Sequence, residues 1–294
     1  MSLVSKSLLC AAAAAVVTAA HAASVPEFAP NAAVGWITLY NQFQPPPSGP
    51  GPVRQDPAHP RVTNAEYRRT GRQPTQPIAD LSNPILQPWA REEMRKHNEL
   101  ALAGKATMSR SANCWPLGVP GFLLHAIRPY FFVQTPQQVL MINEGTNEVR
   151  HMYLMDRHSA AVNPTWFGES IGRYEGDELV VDTVGITTKT FVDNYYTPHT
   201  DALHVVERFR LIDGGDRLEA RVHVEDPGAF TTPWDAIQRF RRVEPGRAEN
   251  DLPLSEVGSQ GLAAPLREST CAESTFSFSG DRVLKIPHTD KPDF

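Results

Sequence analysis

Short apolar runs rich in β-forming residues, separated by turns, dominate the chain between about residues 120 and 243. The clearest run is 217–224, where alternate positions are apolar throughout: Leu218, Ala220, Val222 and Val224. A two-residue period is typical of a β-strand with one buried face. Similar runs predict strands over residues 122–127, 130–133, 138–143, 148–154, 178–184, 203–212, 217–225 and 237–243.

Residues typical of tight turns separate these strands. Asp-Gly-Gly-Asp at 213–216 and Glu-Gly-Asp at 175–177 each predict a hairpin. Many short strands at regular spacing are typical of a barrel or a sandwich. The sequence therefore predicts a mainly β fold, an antiparallel lipocalin-like β-barrel within residues 111–294.

The preceding residues 23–110 predict a proline-rich extension followed by one helix. Residues 45–52 read Pro-Pro-Pro-Ser-Gly-Pro-Gly-Pro, which excludes a helix or a central strand, so we expect an extended or disordered linker there. Residues 88–103 begin with a proline and end before Gly104, as an amphipathic helix would. Trp89 and Leu100 are candidates for the buried face of this helix.

Residues 1–22 have the features of a cleaved export signal. Lys6 precedes an apolar, alanine-rich run, and Ala20-His21-Ala22 fits the small-residue rule for cleavage. We therefore expect a periplasmic or secreted protein without a membrane anchor. Cys114 and Cys271 would remain after cleavage, and in an oxidising compartment such a pair favours a disulfide over two buried thiols.

The charge and the motifs of the chain limit the classes of ligand and partner that the sequence predicts. The net charge is −5, and no basic tract suggests nucleic acid or an anionic membrane surface. The ten histidines include no His-Glu-x-x-His pattern, the cysteines lack zinc spacing, and no dinucleotide or phosphate-binding loop is evident. We expect no cofactor and no metal site, and a small molecule as substrate or ligand. The oligomeric state stays open.

The stretch 168–183 contains two conflicting signals. Gly168-x-Ser170-x-Gly172 matches the nucleophile elbow of serine hydrolases, which requires a helix directly after the serine. A turn and a β-rich run follow instead, so the segment predicts a hairpin, and a structural role for Ser170 is favoured over a nucleophilic one.

Three stretches resemble a family of exported bacterial proteins to which no activity is assigned. They read Gly-x-Ser-x-Gly-Arg-Tyr-Glu-Gly-Asp-x-Leu-Val-Val-Asp-Thr at 168–183, His-Thr-Asp-Ala-Leu-His-Val-Val-Glu-Arg-Phe at 199–209, and Glu-Asp-Pro through Pro-Trp at 225–234. The resemblance runs from about residue 110 to the C-terminus. Residues 155–158 depart from it, because Met-Asp-Arg-His stands where the family has an Asp-Gly-Arg turn.

Acid–base chemistry has candidates in three places. On a strand, His204 and Arg208 share one face while Glu207 takes the other; a histidine titrates near neutrality and a guanidinium fits an oxyanion. Asp156 and His158 lie at a turn, where catalytic side chains often occur. The third place contributes Glu169. The alternative at each place is an ordinary solvated side chain, or a structural one.

Further residues are candidates for binding the substrate: Tyr130, Trp166, Ser170, Arg173, His199 and Trp234. A carboxylate beside a buried tryptophan would have a raised pKa, so Asp226 could assist Trp234, although a loop-organising aspartate fits as well.

Three functions remain open. The favoured one is a cofactor-independent exported enzyme, a hydrolase, lyase or isomerase, with its site inside or at the mouth of the barrel and lined by Tyr130, Phe131, Trp166 and Trp234. The alternative is a non-catalytic lipocalin-like carrier of an apolar ligand, whose walls should have few titratable groups. The third is an interaction role for the proline-rich segment.

Overall fold

The computed structural model describes residues 25–105, 114–125 and 128–244, and its centre is a closed barrel of nine strands. The predicted signal at 1–22 and Cys271 lie outside the described residues. Neighbouring strands in the barrel follow one another along the chain: β1 Gly35–Thr38, β2 Tyr130–Gln134, β3 Gln138–Asn143, β4 Glu148–Leu154, β5 Glu169–Glu175, β6 Glu178–Val184, β7 His204–Ile212, β8 Arg217–Glu225 and β9 Trp234–Val243.

These strands confirm the mainly β, lipocalin-like barrel, with one departure from an antiparallel arrangement. β4 and β5 run parallel, with Tyr153 opposite Ile171 and Leu154 opposite Gly172. A hairpin cannot join parallel strands, and residues 155–168 instead carry the chain back along the barrel before β5 begins. The other neighbouring pairs, including β9 with β1, are antiparallel.

The two predicted hairpins form. β5 and β6 pair from Glu169 opposite Val184 to Glu175 opposite Glu178, so Gly176 and Asp177 make the turn. β7 and β8 are joined through a short 3-10 turn at Asp213–Gly215. The segment after Ser170 is therefore a strand and a turn, as the turn residues predict, and not the helix of a nucleophile elbow.

One predicted strand is wrong. Over 122–127, the described part contains a buried 3-10 helix at Gly121–Leu124. Phe122 donates its backbone N–H to Gly118 and Leu123 donates to Pro120. These local hydrogen bonds occupy backbone groups that a strand would offer to its neighbours. A short apolar run does not by itself distinguish a strand from a buried helical turn.

The proline-rich extension takes part in the barrel. Its β1 pairs four residues with β9 and one with β2, and so closes the sheet. Beyond β1, Gln44 pairs with Ile237, and the backbone N–H of Asp235 donates to Pro50 at 3.1 Å. The extension thus continues its backbone contacts with β9 beyond β1, and β1 within it is one of the barrel strands.

Two α-helices occur within the described residues: α1 at Asn64–Thr70 and α2 at Pro88–Leu102. The predicted buried face of α2 is wrong, because Trp89 and Leu100 are 41% and 42% exposed. The buried side chains follow a spacing of four residues: Ala90, Met94 and Asn98. A sequence-based choice favours large apolar residues, but Asn98 is buried because its amide bonds both the N–H and the carbonyl of Ala79.

The barrel interior is filled by side chains, among them Trp36, Tyr130, Phe209, Trp234 and Phe240. Each of these five is at most 1% exposed. Within the described residues, no helix combines the length and apolar character needed to cross a membrane.

Candidate functional site

The period of β7 sorts its side chains into two environments, as the sequence predicts. Val205, Glu207 and Phe209 point into the barrel and are fully buried. His204 and Arg208 lie on the outer face and are partly exposed. His204 and Arg208, two of the candidate acid–base residues, therefore lie on the outside of the barrel and not in its interior.

The outer face of β5 to β9, together with the loop before β5, carries a row of alternating carboxylates and imidazoles, here called the histidine–carboxylate row. Its members, in spatial order, are Glu169, His158, Asp182, His204, Glu225, His223 and Asp235. The row joins three of the predicted catalytic residues, His158, Glu169 and His204, into one hydrogen-bonded set.

The first half of the row is centred on Asp182. Its Oδ1 accepts from Nε2 of His158 and from Nε2 of His204, each at 3.0 Å. Nδ1 of His158 lies 2.9 Å from Oε1 of Glu169. Ser159 donates its backbone N–H and its hydroxyl to Glu169, which fixes that end of the row.

The second half passes through Glu225. Nδ1 of His204 lies 3.4 Å from Oε2 of Glu225, and Nε2 of His223 lies 3.0 Å from Oε1 of the same carboxylate. Nδ1 of His223 contacts Oδ1 of Asp235 at 2.7 Å. Strand register creates this half, because His204 is opposite Glu225 and His223 is opposite Asp235.

His204 and His223 each lie between two carboxylates, and this arrangement favours the protonated form of both rings. The hydrogen bond to Asp182 raises the pKa of His204 above its usual value despite partial burial. Burial opposes the same change at His223, but the bonds to Glu225 and Asp235 prevail and raise the pKa of its ring. These partners respond in the opposite direction: His204 lowers the pKa of Asp182, and His223 lowers that of Glu225.

A groove of about 500 Å³ lies beside the end of the row. Its charged lining consists of Arg208, Arg221, His223 and Asp235. The rest of the lining is apolar: Pro46, Pro47, Val206, Val222, Ala236 and Ile237. Arg208, a predicted catalytic residue, thus faces the groove and not the row's first half.

The two arginines of the groove share a carboxylate. Arg208 donates from Nη1 to Oε2 of Glu178 at 3.2 Å and to Oε2 of Glu175 at 2.8 Å. Arg221 donates from Nη2 to the other oxygen of Glu178. Glu178, whose side chain is 13% exposed, is therefore held between the two guanidinium groups.

Inside the barrel, a second network is separate from the groove. Arg150 and Glu207 form a fully buried ion pair, and Nη1 of Arg150 lies 2.9 Å from Oε1 of Glu207. Ser170 and Thr183 complete it, with their hydroxyls 2.9 Å apart and both accepting from Arg150. Ser170 is thus a buried structural residue, not one exposed to substrate in this structure.

The other predicted site residues are dispersed. Tyr130 and Trp234 are buried in the barrel, and His199 is buried with Nε2 bonded to Thr190 at 2.8 Å. Arg173 pairs with Glu175 on the outer face, and Trp166 packs against Trp115 at 5.9 Å between ring centroids. Asp156 is exposed in the loop before His158.

The loop after β8 explains Asp226 without chemistry. Its carboxylate accepts from the backbone N–H and hydroxyl of Thr200, at 2.6 and 2.7 Å. It also accepts from the N–H groups of Gly228 and Ala229. This is the loop-organising role that was one of the two alternatives for Asp226.

Sequence reasoning missed Asp182, Glu225, His223 and Asp235. Each is an outward residue on a predicted or observed strand, so strand period could have placed it outside the barrel. Their contacts depend on which strands pair and in what register, and a single sequence does not specify that. In the described part of the chain, no three His, Cys, Asp or Glu side chains are arranged to hold a metal ion.

Comparison with known proteins gives no match to a family model, to a curated protein or to a solved structure. The resemblance to exported bacterial proteins therefore stays a prediction.

Proposed function

We propose that this protein is an exported, cofactor-independent enzyme that performs acid–base chemistry on a small, partly apolar substrate in the outer groove. The observation that carries the proposal is the position of His223. It lines the groove and, at the same time, ends a hydrogen-bonded row of imidazoles and carboxylates. Hydrolysis, elimination and isomerisation each need a group of this kind.

His223 is the proposed proton-transfer residue. Its side chain is 39% exposed, so a substrate in the groove can reach the ring. Glu225 holds Nε2, and Asp235, which also lines the groove, lies at Nδ1. The Asp235 side chain is 54% exposed, so a substrate in the groove can replace it as the partner of Nδ1. The raised pKa keeps the ring protonated closer to neutral pH, and Nδ1–H then donates a proton to a leaving group or a developing oxyanion.

The remainder of the row supports this residue. Glu225 lies between His223 and His204, and Asp182 lies between His204 and His158. We therefore assign His204, His158 and Glu169 as positioning residues, which act on the reaction through the orientation and charge of their neighbours. Arg208 and Arg221 would stabilise negative charge on the substrate or in the transition state.

The groove's lining favours an enzyme over a carrier. A carrier of an apolar ligand is expected to have aromatic and aliphatic walls with few titratable groups. Here four lining residues are ionisable: Arg208, Arg221, His223 and Asp235. The aromatic side chains that would suit a carrier, such as Trp234 and Tyr130, are packed within the barrel.

The test is turnover by the purified mature protein, followed by ¹H NMR in D₂O. We would use 4-acetoxybenzoate for hydrolysis, 3-hydroxy-3-phenylpropanoate for elimination and phenylpyruvate for exchange through its enol. His223→Gln should reduce the rate by about 100-fold or more, as expected for loss of a general acid or base. His151→Gln is the matched control, because His151 is an outer-face histidine bonded to Gln138 and outside the row.

Two results would overturn the proposal. One is a rate in His223→Gln equal to that of the wild-type protein. The other is binding of the probes without turnover of any of them, which would assign the groove to a non-catalytic carrier. The export signal is tested separately, by N-terminal sequencing of protein recovered from the periplasm or medium; an intact residue 1–22 segment would exclude cleavage.

A further inference from the structure

We infer that the outer groove binds a small amphipathic carboxylate, with its anionic end at Arg208 and Arg221 and its apolar body over Val206 and Ile237. The inference rests on the same groove as the proposed function and names its ligand class. It depends on binding, and does not require turnover.

Two positively charged side chains face each other in the groove. Arg208 and Arg221 are directly opposite each other in the register of β7 and β8. Like charges in opposed positions destabilise a sheet, and local conflicts of this kind are expected where function requires them. Glu178 offsets the repulsion by accepting from both guanidinium groups, one on each carboxylate oxygen.

Both arginines of the groove have N–H donors beyond those bonded to Glu175 and Glu178. Arg208 uses Nη1 for both of its carboxylate contacts, and Arg221 uses Nη2. A guanidinium has five N–H groups in a planar fork, so each arginine keeps donors for a further partner. The side chains are 37% and 45% exposed, and the donors of a fork match the two oxygens of a carboxylate.

Part of the groove's lining is apolar. Val206 and Ile237 lie at outer-face positions of β7 and β9, next to the polar residues: Val206 is opposite His223, and Ile237 is opposite Arg221. A ligand bound by the arginines would therefore extend over apolar surface and pass His223. The volume of about 500 Å³ lies in the range of small-molecule sites.

The proline segment at the rim of the groove is attached to β9 at both of its ends. Gln44 and Ile237 exchange both backbone hydrogen bonds at 2.9 Å, and Pro50 accepts from Asp235 at 3.1 Å. Pro46 and Pro47 lie between these two attachment points on β9 and line the groove. A wall fixed at both ends requires little ordering when a ligand binds, which favours affinity.

The experiment measures affinity by isothermal titration with three probes of matched parts: 4-phenylbutyrate, its neutral amide 4-phenylbutyramide, and acetate. We expect 4-phenylbutyrate to bind at least about tenfold more tightly than either of the others, because only it offers both the charge and the apolar body. Arg208→Gln with Arg221→Gln should remove this preference. Arg210→Gln is the matched control: Arg210 is on the same face of β7, but pairs with Glu219 outside the groove.

Equal affinity for the carboxylate and the amide would overturn the inference, as would unchanged binding by the double variant when circular dichroism shows the native fold. The two proposals fail differently. Charge-dependent binding with no turnover of the three NMR substrates keeps the carboxylate site and rejects the enzyme. Turnover that depends on His223 without any preference for the carboxylate rejects the ligand class and keeps the enzyme.

Discussion

His204, Glu207 and Arg208 are close neighbours in the sequence of β7, but they belong to separate networks. Glu207 points inward to Arg150, His204 joins the histidine–carboxylate row, and Arg208 faces the groove. The two-residue period of a strand separates Glu207 from the other two, because adjacent side chains emerge on opposite faces. His204 and Arg208 share the outer face and are separated by their distance along the strand. At the residue scale, the inner network serves stability and the outer residues are available for chemistry.

The inner ion pair yields the first prediction. Arg150→Met should lower the free energy of unfolding by about 3–5 kcal/mol, because it leaves the Glu207 carboxylate buried without its partner. Urea denaturation measures the change. Arg95→Gln is the control, since Arg95 pairs with Glu92 at the exposed surface of α2 and should cost less than about 1 kcal/mol. Equal effects of the two substitutions would contradict the buried pair.

The outer row predicts a dependence of stability on pH. Raised pKa values at His204 and His223 mean that their contribution is complete below the unfolded histidine value of about 6.5 and is lost as pH rises through the folded values. Lowered pKa values at Asp182 and Glu225 mean a contribution that is present above about pH 4 and lost as pH falls through their folded values.

The measurement compares the wild-type protein with His204→Gln by urea denaturation at pH 5.5, 7 and 9. We expect the stability difference to be largest at pH 5.5 and to shrink towards pH 9. His151→Gln is the matched control, because His151 is bonded to Gln138 and lies outside the row. A constant difference for His204→Gln would show that the row does not favour the protonated imidazole.

At the scale of elements, the hairpin of β5 and β6 explains the Gly-x-Ser-x-Gly pattern without a nucleophile. Gly168 precedes β5 with a φ of +65°, and a Cβ there would lie 2.4 Å from the carbonyl oxygen of Val184. Ser170 points inward to Arg150. A Cβ on Gly172 would meet nothing closer than 3.4 Å. Gly168 is thus explained by the close approach of the backbone and Ser170 by its inward contact with Arg150, while nothing in the structure requires a glycine at position 172.

The same geometry gives a prediction for glycine replacement. Gly168→Ala should lower the free energy of unfolding by more than about 2 kcal/mol, since both its backbone conformation and the adjacent backbone resist a side chain. Gly214→Ala is the control. Gly214 has a similar φ of +68° but open space around it, so only the conformational cost of about 1 kcal/mol applies. Similar thermal-melting shifts for the two variants would rule out the close approach to Val184.

At the scale of the whole molecule, the barrel is closed by a strand from the proline-rich extension. Trp36 of β1 is 1% exposed and donates its indole N–H to the carbonyl of Phe28 at 2.9 Å. The same extension supplies the prolines at the groove rim. Deleting residues 24–80 would therefore remove part of the barrel. Loss of partner binding after this deletion would not show that the proline-rich segment itself binds the partner.

Truncation of this strand's main side chain tests the closure. Trp36→Ala should lower the free energy of unfolding by about 3–5 kcal/mol, as expected for removing a large buried side chain. Tyr40→Ala, two residues beyond β1 and 42% exposed, should change it by less than about 0.5 kcal/mol. If Trp36→Ala unfolds at the wild-type urea concentration, β1 does not close the barrel in solution.

Local features of the fold follow from the order of residues alone: most strand positions, the two hairpins, and the faces of β7 and β8. These depend on turn chemistry and on a two-residue period, which act over a few neighbouring residues. The sequence also indicated His158, Glu169 and His204, because strand ends and outer faces are recognisable from the same period.

Which of these residues come into contact depends on the packing of the strands in the barrel. Asp182 joins His158 to His204, and the register of β7, β8 and β9 brings Glu225, His223 and Asp235 into the same row. Closure by β1 and attachment of the prolines complete the groove. Such contacts join residues far apart in the chain, so their formation depends on the packing of the whole barrel and not on any local pattern.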